Sequence, residues 1–400
     1  MPATILTNAR IVLADREVHG SVVLDGEKII EVVPRRYPDG IDLRDAILIP
    51  GLIDIHTDYL ERELSPRPSA RFPLEMALHM MDLRALSCGL TTIVSAARIS
   101  AEKDGPSGSW RGDGLALARR FEELIPQLRA HHLIHVRWSP QCERAEPILE
   151  ELLKLKSIGN LVFNDDMPGQ RQFRDIEALI RQYAVRNDVS IEQSRAHMQE
   201  RIERAGQVNN RMRVKEYLAG RIPFGSHDDT TVEHVLEAYE AGATLSEMPC
   251  RIEAARKAKE LGMMVCMGAP NYYRGGSHCG NLSCHDALAE GLVDILCSDY
   301  HFPSLLACAL RMIEAGMQLS SAINLITLNP ARHLGIDKQV GSIEAGKRAD
   351  LVAFHPRNGF TDVAHVWVRG EEQFRAGTVK HTDVLSAIRA GYAQPAAALV

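Results

Sequence analysis

No apolar run in the 400-residue chain approaches the roughly 20 residues that span a bilayer, which argues against a membrane-embedded protein. Cysteine is present but not paired: the eight residues are scattered, and Cys279 and Cys284 lack a zinc-ribbon spacing. Positive charge is not in excess, since 46 Lys and Arg face 52 Asp and Glu for a net −6. That balance excludes bulk electrostatic binding to nucleic acid or acidic membranes, but not a local basic pocket. A secretory leader is not indicated, because MPATILTNARIVLADREVHG already carries charges and strand-like alternation. The thiols therefore read as reduced and mostly buried, in a cytoplasmic protein.

The chain is 45% hydrophobic and 24% charged, which is globular and excludes disorder, collagen and coiled coil. Its length suits two to three domains at about 150 residues each, or one (β/α)₈ barrel of about 250 residues with a smaller partner. Both ends are β-rich. ARIVLAD, SVVLDG and KIIEVV near the start are punctuated by Gly20, Gly26 and Pro34, and GSIEAGKRADLVAFH and AHVWVRGEEQFRAG near the end read alike. The middle alternates short apolar strands with helical segments: LIDIHTD, TTIVSAA, HLIHVRWS, NLVFNDD, RIPFGSHDD, ATLSEMP, MVCMGAP and DILCSDY each precede a helix. Such alternation means a parallel sheet covered on both faces, and eight units favour a closed barrel. The absence of G-x-G-x-x-G after the first strand weighs against an open dinucleotide-binding sheet. The expected architecture is an α/β TIM-like barrel over residues 51–340, with a small β-sandwich domain built from 1–50 and 341–390.

Chemistry in such a barrel sits at the C-terminal strand ends, and acids and histidines concentrate there. Strand one ends His56-Thr57-Asp58, strand four Asp165-Asp166 and strand five His227-Asp228-Asp229; strand six carries Glu247 and strand eight Asp299. On a strand, His56 and Asp58 share a side. Imidazole and carboxylate donors suit zinc, manganese or iron, which make hydroxide from water near neutral pH. Asp299 is the natural proton acceptor for that water. His131, His132, His234, His285 and His333 read as helical or exposed structural residues; His135, on strand three, stays open.

GLIDIHTD after a β segment, CGLTT, SDY, TLNPARHLG and GSIEAGKRADLV together resemble the amidohydrolase superfamily across nearly the whole chain. Longer runs resemble its phosphonate-metabolism branch: HTDYLERELSPRP (56–68), PGQRQF (168–173), SHDDTT (226–231), MGAPNYYRGGSHCGN (267–281) and DILCSDYHFPSLL (294–306). The resemblance implies a metal-dependent diphosphatase that cleaves a phosphoanhydride bond of α-D-ribose 1-methylphosphonate 5-triphosphate. It implies metal binding by His56, Asp58, His227, Glu247 and Asp299, with Asp165 or Asp166 bridging two metals, and zinc ahead of manganese or iron. The chain departs from the branch at Tyr59, at Asp166 and at Ser139 in Arg137-Trp138-Ser139.

A triphosphate needs bidentate guanidinium and backbone N–H donors. Arg67, Gln170, Arg171, Arg174, Asn271, Arg274, Gly276, Ser277, His278 and Tyr300, in loops after barrel strands, are the expected substrate contacts. The expected partner is a small phosphorylated substrate, with no nucleic acid or membrane, and self-association is left open. The competing chemistry on the same fold is C–N hydrolysis of a cyclic amide or amino-purine. A third alternative, a structural or assembly protein without a working site, would show loss of His56 and Asp299, and both are present. The charged stretch 173–220 reads as an outer helical pair rather than a lid, and MALHMMDLRAL as core packing.

Overall fold

The structure, a computed structural model, describes residues 3–67, 70–99, 110–140, 145–165, 167–169, 171, 175–205, 211–218, 220–277, 279–357 and 360–377. Its strands are β1 (Thr4–Val12), β2 (Glu17–Asp25), β3 (Lys28–Val33), β4 (Ile41–Pro50), β5 (Leu52–Thr57), β6 (Leu90–Arg98), β7 (His131–Trp138), β8 (Ile158–Asn164), β9 (Phe224–His227), β10 (Leu245–Glu247), β11 (Met264–Gly268), β12 (Ile295–Cys297), β13 (Leu351–Arg357), β14 (Phe360–Val368) and β15 (Glu371–Arg375).

Strands β5 to β12 form one parallel eight-stranded sheet in sequence order. Most of their residues are buried, with apolar side chains dominating β6, β8, β11 and β12, as parallel strands under a helical layer require, and polar ones prominent in β5, β7, β9 and β10. The first and last strands meet at the catalytic end, where the Asp58 N–H donates to the Asp299 carbonyl at 2.6 Å and the Asp299 N–H to the His56 carbonyl at 3.1 Å. Along β7, Ile134, Val136 and Trp138 join the large core under the helices, while Leu133 packs in a separate interior cluster with Val94, Leu245, Cys266, Ile295 and Cys297. Ala331, Leu334 and Val340, in and beyond the helix Leu328–His333, complete that cluster. The helix Leu74–Ser87 buries Leu74, Ala77, Leu78, Met81, Ala85 and Leu86, as its apolar stripe predicts.

The terminal strands form a second, seven-stranded sheet in the order β15-β14-β13-β4-β1-β2-β3. The two chain ends join where β4 and β13 pair antiparallel, Ile49 against Val352. Period-two alternation splits the faces: Leu48 lies in the sheet's own core with Leu6, Ile11 and Trp367, whereas Ile47 and Ile49 merge into the barrel's core.

The stretch after β8 contains helices Ile176–Asn187, Ile191–Ala205 and Arg211–Leu218. The first two form a hairpin around a small core of Leu179, Ile180 and Met198, with the Ser194 hydroxyl donating to the Ile180 carbonyl at 2.8 Å. His131 and His132 lie on strand β7, not on a helix, and His132 is fully buried against Asp82 at 3.0 Å. His131 is half-buried on the same strand, so neither lies where the sequence reading put it.

Candidate metal and anion site

Inward positions of neighbouring strands bring the donors together. His56 ends β5, His135 lies on β7, His227 ends β9 and Glu247 ends β10. Asp299 follows β12 in the left-handed region at φ 55°, as do Asp228 at 59° after β9 and Met248 at 52° after β10. Three non-glycine residues held in this costly conformation at the ends of β9, β10 and β12 mark a region shaped for something other than stability.

Two overlapping donor sets result, His56–His135–Glu247 and His56–Asp58–Asp299, each with its ligand atoms within 4.8 Å of one another. The Glu247 Oε2 lies 3.0 Å from His56 Nδ1, 3.5 Å from His135 Nε2 and 2.7 Å from His227 Nδ1. The His56 ring stacks on His227 with centroids 5.4 Å apart and meets His135 edge-on at 4.7 Å. Glu247 is fully buried. Burial pushes its carboxyl up, but the facing His135 and His56, with the hydrogen bond from His227, hold it well below the usual carboxylate range. Burial likewise opposes charge on His56, yet the Glu247 carboxylate lifts it to about 9. His135 goes the other way, because burial outweighs Glu247.

Hydrogen bonding fixes two tautomers. The His135 Nδ1 is 2.9 Å from the Ile55 carbonyl, which can only accept, so Nδ1 carries the proton and the Nε2 lone pair faces Glu247. Two acceptors thus oppose each other at 3.5 Å. His56 Nδ1, His135 Nε2 and Glu247 Oε1 are buried without a hydrogen-bond partner. Unpartnered lone pairs converging in a dry pocket are what a divalent cation satisfies, and a His/His/carboxylate set fits one. His227 is fixed as well: the Arg137 guanidinium, a pure donor, gives an N–H to its Nε2 at 3.2 Å, so its Nδ1–H donates to Glu247.

Burial raises the Asp299 carboxyl and the nearby Asp58 adds to the effect, against His56, Arg137 and His227. A cleft beside Asp299 is lined by Asn271, Arg274, Ser277 and Tyr300 together with Asp228, Met248, Met267 and Asn281. Arg274 reaches the Tyr300 hydroxyl at 3.4 Å. Gly276 sits in the same loop at φ 156°. The Asn271 side chain is committed to the scaffold, donating to the Leu282 carbonyl and accepting from the Cys284 N–H.

Other expected residues fall elsewhere. Arg171, expected on the rim, is 2% exposed; it pairs with Asp229 at 2.6 Å and donates to the His227 carbonyl at 3.2 Å. Its guanidinium braces the end of β9 instead of facing the cleft. Asp165, expected to bridge metals, accepts from Arg211 at 2.9 Å and lies 3.7 Å from Arg171, outside both donor sets. Arg67 is exposed in a turn closed by the Ala70 N–H. Asp166, Gln170, Arg174 and His278 lie outside the described residues.

Two residues of the site were not assigned to it from sequence: His135 was left open, and Arg137 was noted only as part of Arg137-Trp138-Ser139. The signal was present in HLIHVRWS: with Ile134, Val136 and Trp138 outward, Leu133, His135 and Arg137 must face inward. A guanidinium on the inner face of a buried strand needs a reason.

A parallel eight-stranded barrel with an imidazole–carboxylate cluster at its strand ends, beside a sheet made from both termini, defines a class, and the chain belongs to the amidohydrolase family, whose sequence pattern matches residues 47–373. It is 33% identical over 384 residues to the alpha-D-ribose 1-methylphosphonate 5-triphosphate diphosphatase of Escherichia coli strain K12, a match covering 92% of this chain and 100% of that protein. A shorter likeness, 30% over 161 residues, links it to an adenine deaminase of Methanothrix thermoacetophila, covering 36% of this chain and 25% of that protein. Among solved structures it is similar to dihydropyrimidinase from Brevibacillus agri NCHU1002, with TM-score 0.62 and 16% identity over 93% of this chain and 95% of that one. It is also similar to N-acetylglucosamine-6-phosphate deacetylase from Pasteurella multocida, with TM-score 0.59 and 15% identity over 93% and 99%. These structural likenesses define the fold. The family and its full-length relative support a hydrolase.

Proposed function

We propose that the protein is a metal-dependent diphosphatase acting on α-D-ribose 1-methylphosphonate 5-triphosphate or a close analogue. The observation that carries this reading is a cleft that brings Arg274, Ser277 and Tyr300, groups able to donate to phosphate oxygens, beside Asp299 and the imidazole–carboxylate cluster. Full-length similarity to the Escherichia coli diphosphatase supports the same chemistry.

His56, His135 and Glu247 would hold one ion, and His56, Asp58 and Asp299 form the overlapping set; we assign zinc, with manganese or iron as alternatives. When bound there, a divalent ion would supply an activated water near neutral pH and charge neutralisation for the phosphoryl oxygens. Arg274 and Ser277 orient the polyphosphate chain with N–H and O–H donors. A water proton passes to an Asp299 carboxylate oxygen, which stands both in a donor set and on the wall of the cleft. Water oxygen bonds to phosphorus, the anhydride P–O bond breaks, and diphosphate leaves with the proton returned from Asp299. The seven described cysteines carry free thiols, which fits the cytoplasmic location we assign.

A substrate panel tests the reading. Metal-loaded enzyme is given α-D-ribose 1-methylphosphonate 5-triphosphate, nucleoside triphosphates and cyclic amides, with diphosphate and ammonia measured separately. Diphosphate from the ribose phosphonate is the expected product. Ammonia from a cyclic amide without diphosphate from any triphosphate would overturn it in favour of C–N hydrolysis.

A further inference from the structure

Arg137 has an unusual set of partners. Its side chain is 22% exposed, and it stands one inward position beyond His135 on β7. The Nε donates to the Asn164 Oδ1 at 2.8 Å, which fixes the guanidinium plane. One terminal nitrogen lies 3.2 Å from His227 Nε2, and the other lies 3.7 Å from Asp58 Oδ1, beyond hydrogen-bond reach. A half-buried arginine normally takes a bidentate carboxylate. This one has a neutral amide, an imidazole lone pair and a distant carboxylate. Its two terminal nitrogens offer four N–H donors toward the mouth of the cluster, where the opposing groups are Asp58, His227 and Asp299.

The Asp58 carboxylate belongs to the donor set that a cation would engage. With Asp58 turned to a cation, the N–H donors of the terminal nitrogen that faces it have no protein acceptor left, while the other terminal nitrogen stays on His227. The ligand that completes them is an oxyanion lying against the cation. We propose that Arg137 is the specificity-determining guanidinium that grips the reacting phosphoryl group, with Arg274 and Ser277 holding the more distant phosphates. This rests on the phosphoanhydride reading of the same site, and it gives the innermost anion contact to a residue on the scaffold strand itself, where position is set more tightly than on a loop.

The test is binding of inorganic phosphate to the metal-loaded full chain by calorimetry, with metal content measured before and after titration. R137Q should weaken phosphate binding about tenfold to a hundredfold, as expected for one charged hydrogen-bonding group, while metal content stays at the wild-type level. R137K, which keeps the charge but loses the planar fork, should fall between the two and should raise KM for the ribose triphosphate more than it lowers kcat. Unchanged phosphate affinity in R137Q overturns the proposal. So does loss of metal with unaltered anion affinity once metal is restored, because that assigns Arg137 to holding ligands. If R137Q does not fold, R137K alone decides, and wild-type phosphate affinity there also overturns it. A wild-type enzyme that releases diphosphate while R137K binds phosphate normally sinks only this inference. A wild type that neither binds phosphate nor releases diphosphate sinks the underlying function as well.

Discussion

Arg171 and Arg274 look equivalent as letters, each an arginine in a loop after a barrel strand. In the fold they do opposite things. Arg171 is 2% exposed and neutralises Asp229, which also accepts from the Ser226 hydroxyl at 2.7 Å. Removing one partner of a buried pair strands the other charge, so Arg171→Met should cost about 3–5 kcal/mol of stability, read by urea denaturation. Arg274→Met should leave the denaturation midpoint unchanged and raise KM instead. A stable Arg171→Met protein with only a KM defect would return Arg171 to the anion rim. Asp299 gives a third contrast. Asp299→Asn keeps the shape but cannot accept the proton, so turnover should drop at least about a hundredfold with circular dichroism unchanged and His56, His135 and Glu247 still retaining metal. Near-normal turnover in that variant would remove Asp299 from the mechanism. The contrast between the two arginines is not visible in the sequence, because it depends on which nearby carboxylate the fold delivers to each, whereas the place of Asp299 at a strand end was.

Elements were more legible than residues, for a physical reason. Period-two and period-3.6 patterns are local, so HLIHVRWS and MALHMMDLRAL already specify a strand and a helix, and eight repeats specify a barrel. The pairing of β4 with β13, which joins residues about three hundred positions apart, was legible only as two similar β-rich ends. The cluster was partly legible: His56, Glu247 and Asp299 stand out at strand ends, whereas His135 lies within its strand and needs the inner–outer split of β7 to be chosen. The helical hairpin 176–205 shows what local pattern leaves open. Among the described residues, its helices pair around a small core of Leu179, Ile180 and Met198, with Ile176 and Tyr183 packed against it. So small a satellite core should open well below the free energy of global unfolding. Hydrogen exchange should therefore be faster across 176–205 than in β6, β7 or β8 by at least about tenfold. Met198→Ala should speed it further without moving the barrel's own protection. Equal protection of hairpin and barrel strands would show that the hairpin is cooperative with the core.

At the scale of the whole molecule, the acidic balance and the buried histidines act on stability through pH. His333, in the helix at the closed end of the barrel, is buried, and its pKa is lowered to about 4 chiefly by that burial. His131, at the seam where β7 approaches Arg348 and Arg369 of the second sheet, is also pushed to about 4, by burial first and then by those positive charges. Both are neutral in the folded protein and have pKa near 6.5 when unfolded, so protons bind the unfolded chain more readily. The stability they leave intact is complete above pH 6.5 and is lost as pH falls from 6.5 toward 4. A shift of this size corresponds to about 3 kcal/mol for His333 alone by pH 4. A cation held by Glu247 would repel a proton on His333 and push the same way. Denaturation midpoints measured between pH 7.5 and 4.5 should fall steeply for the wild type. His333→Gln has no proton to gain, so it should start lower and fall less. Parallel slopes for the two proteins would mean that His333 stays neutral throughout and that acid acts on other groups.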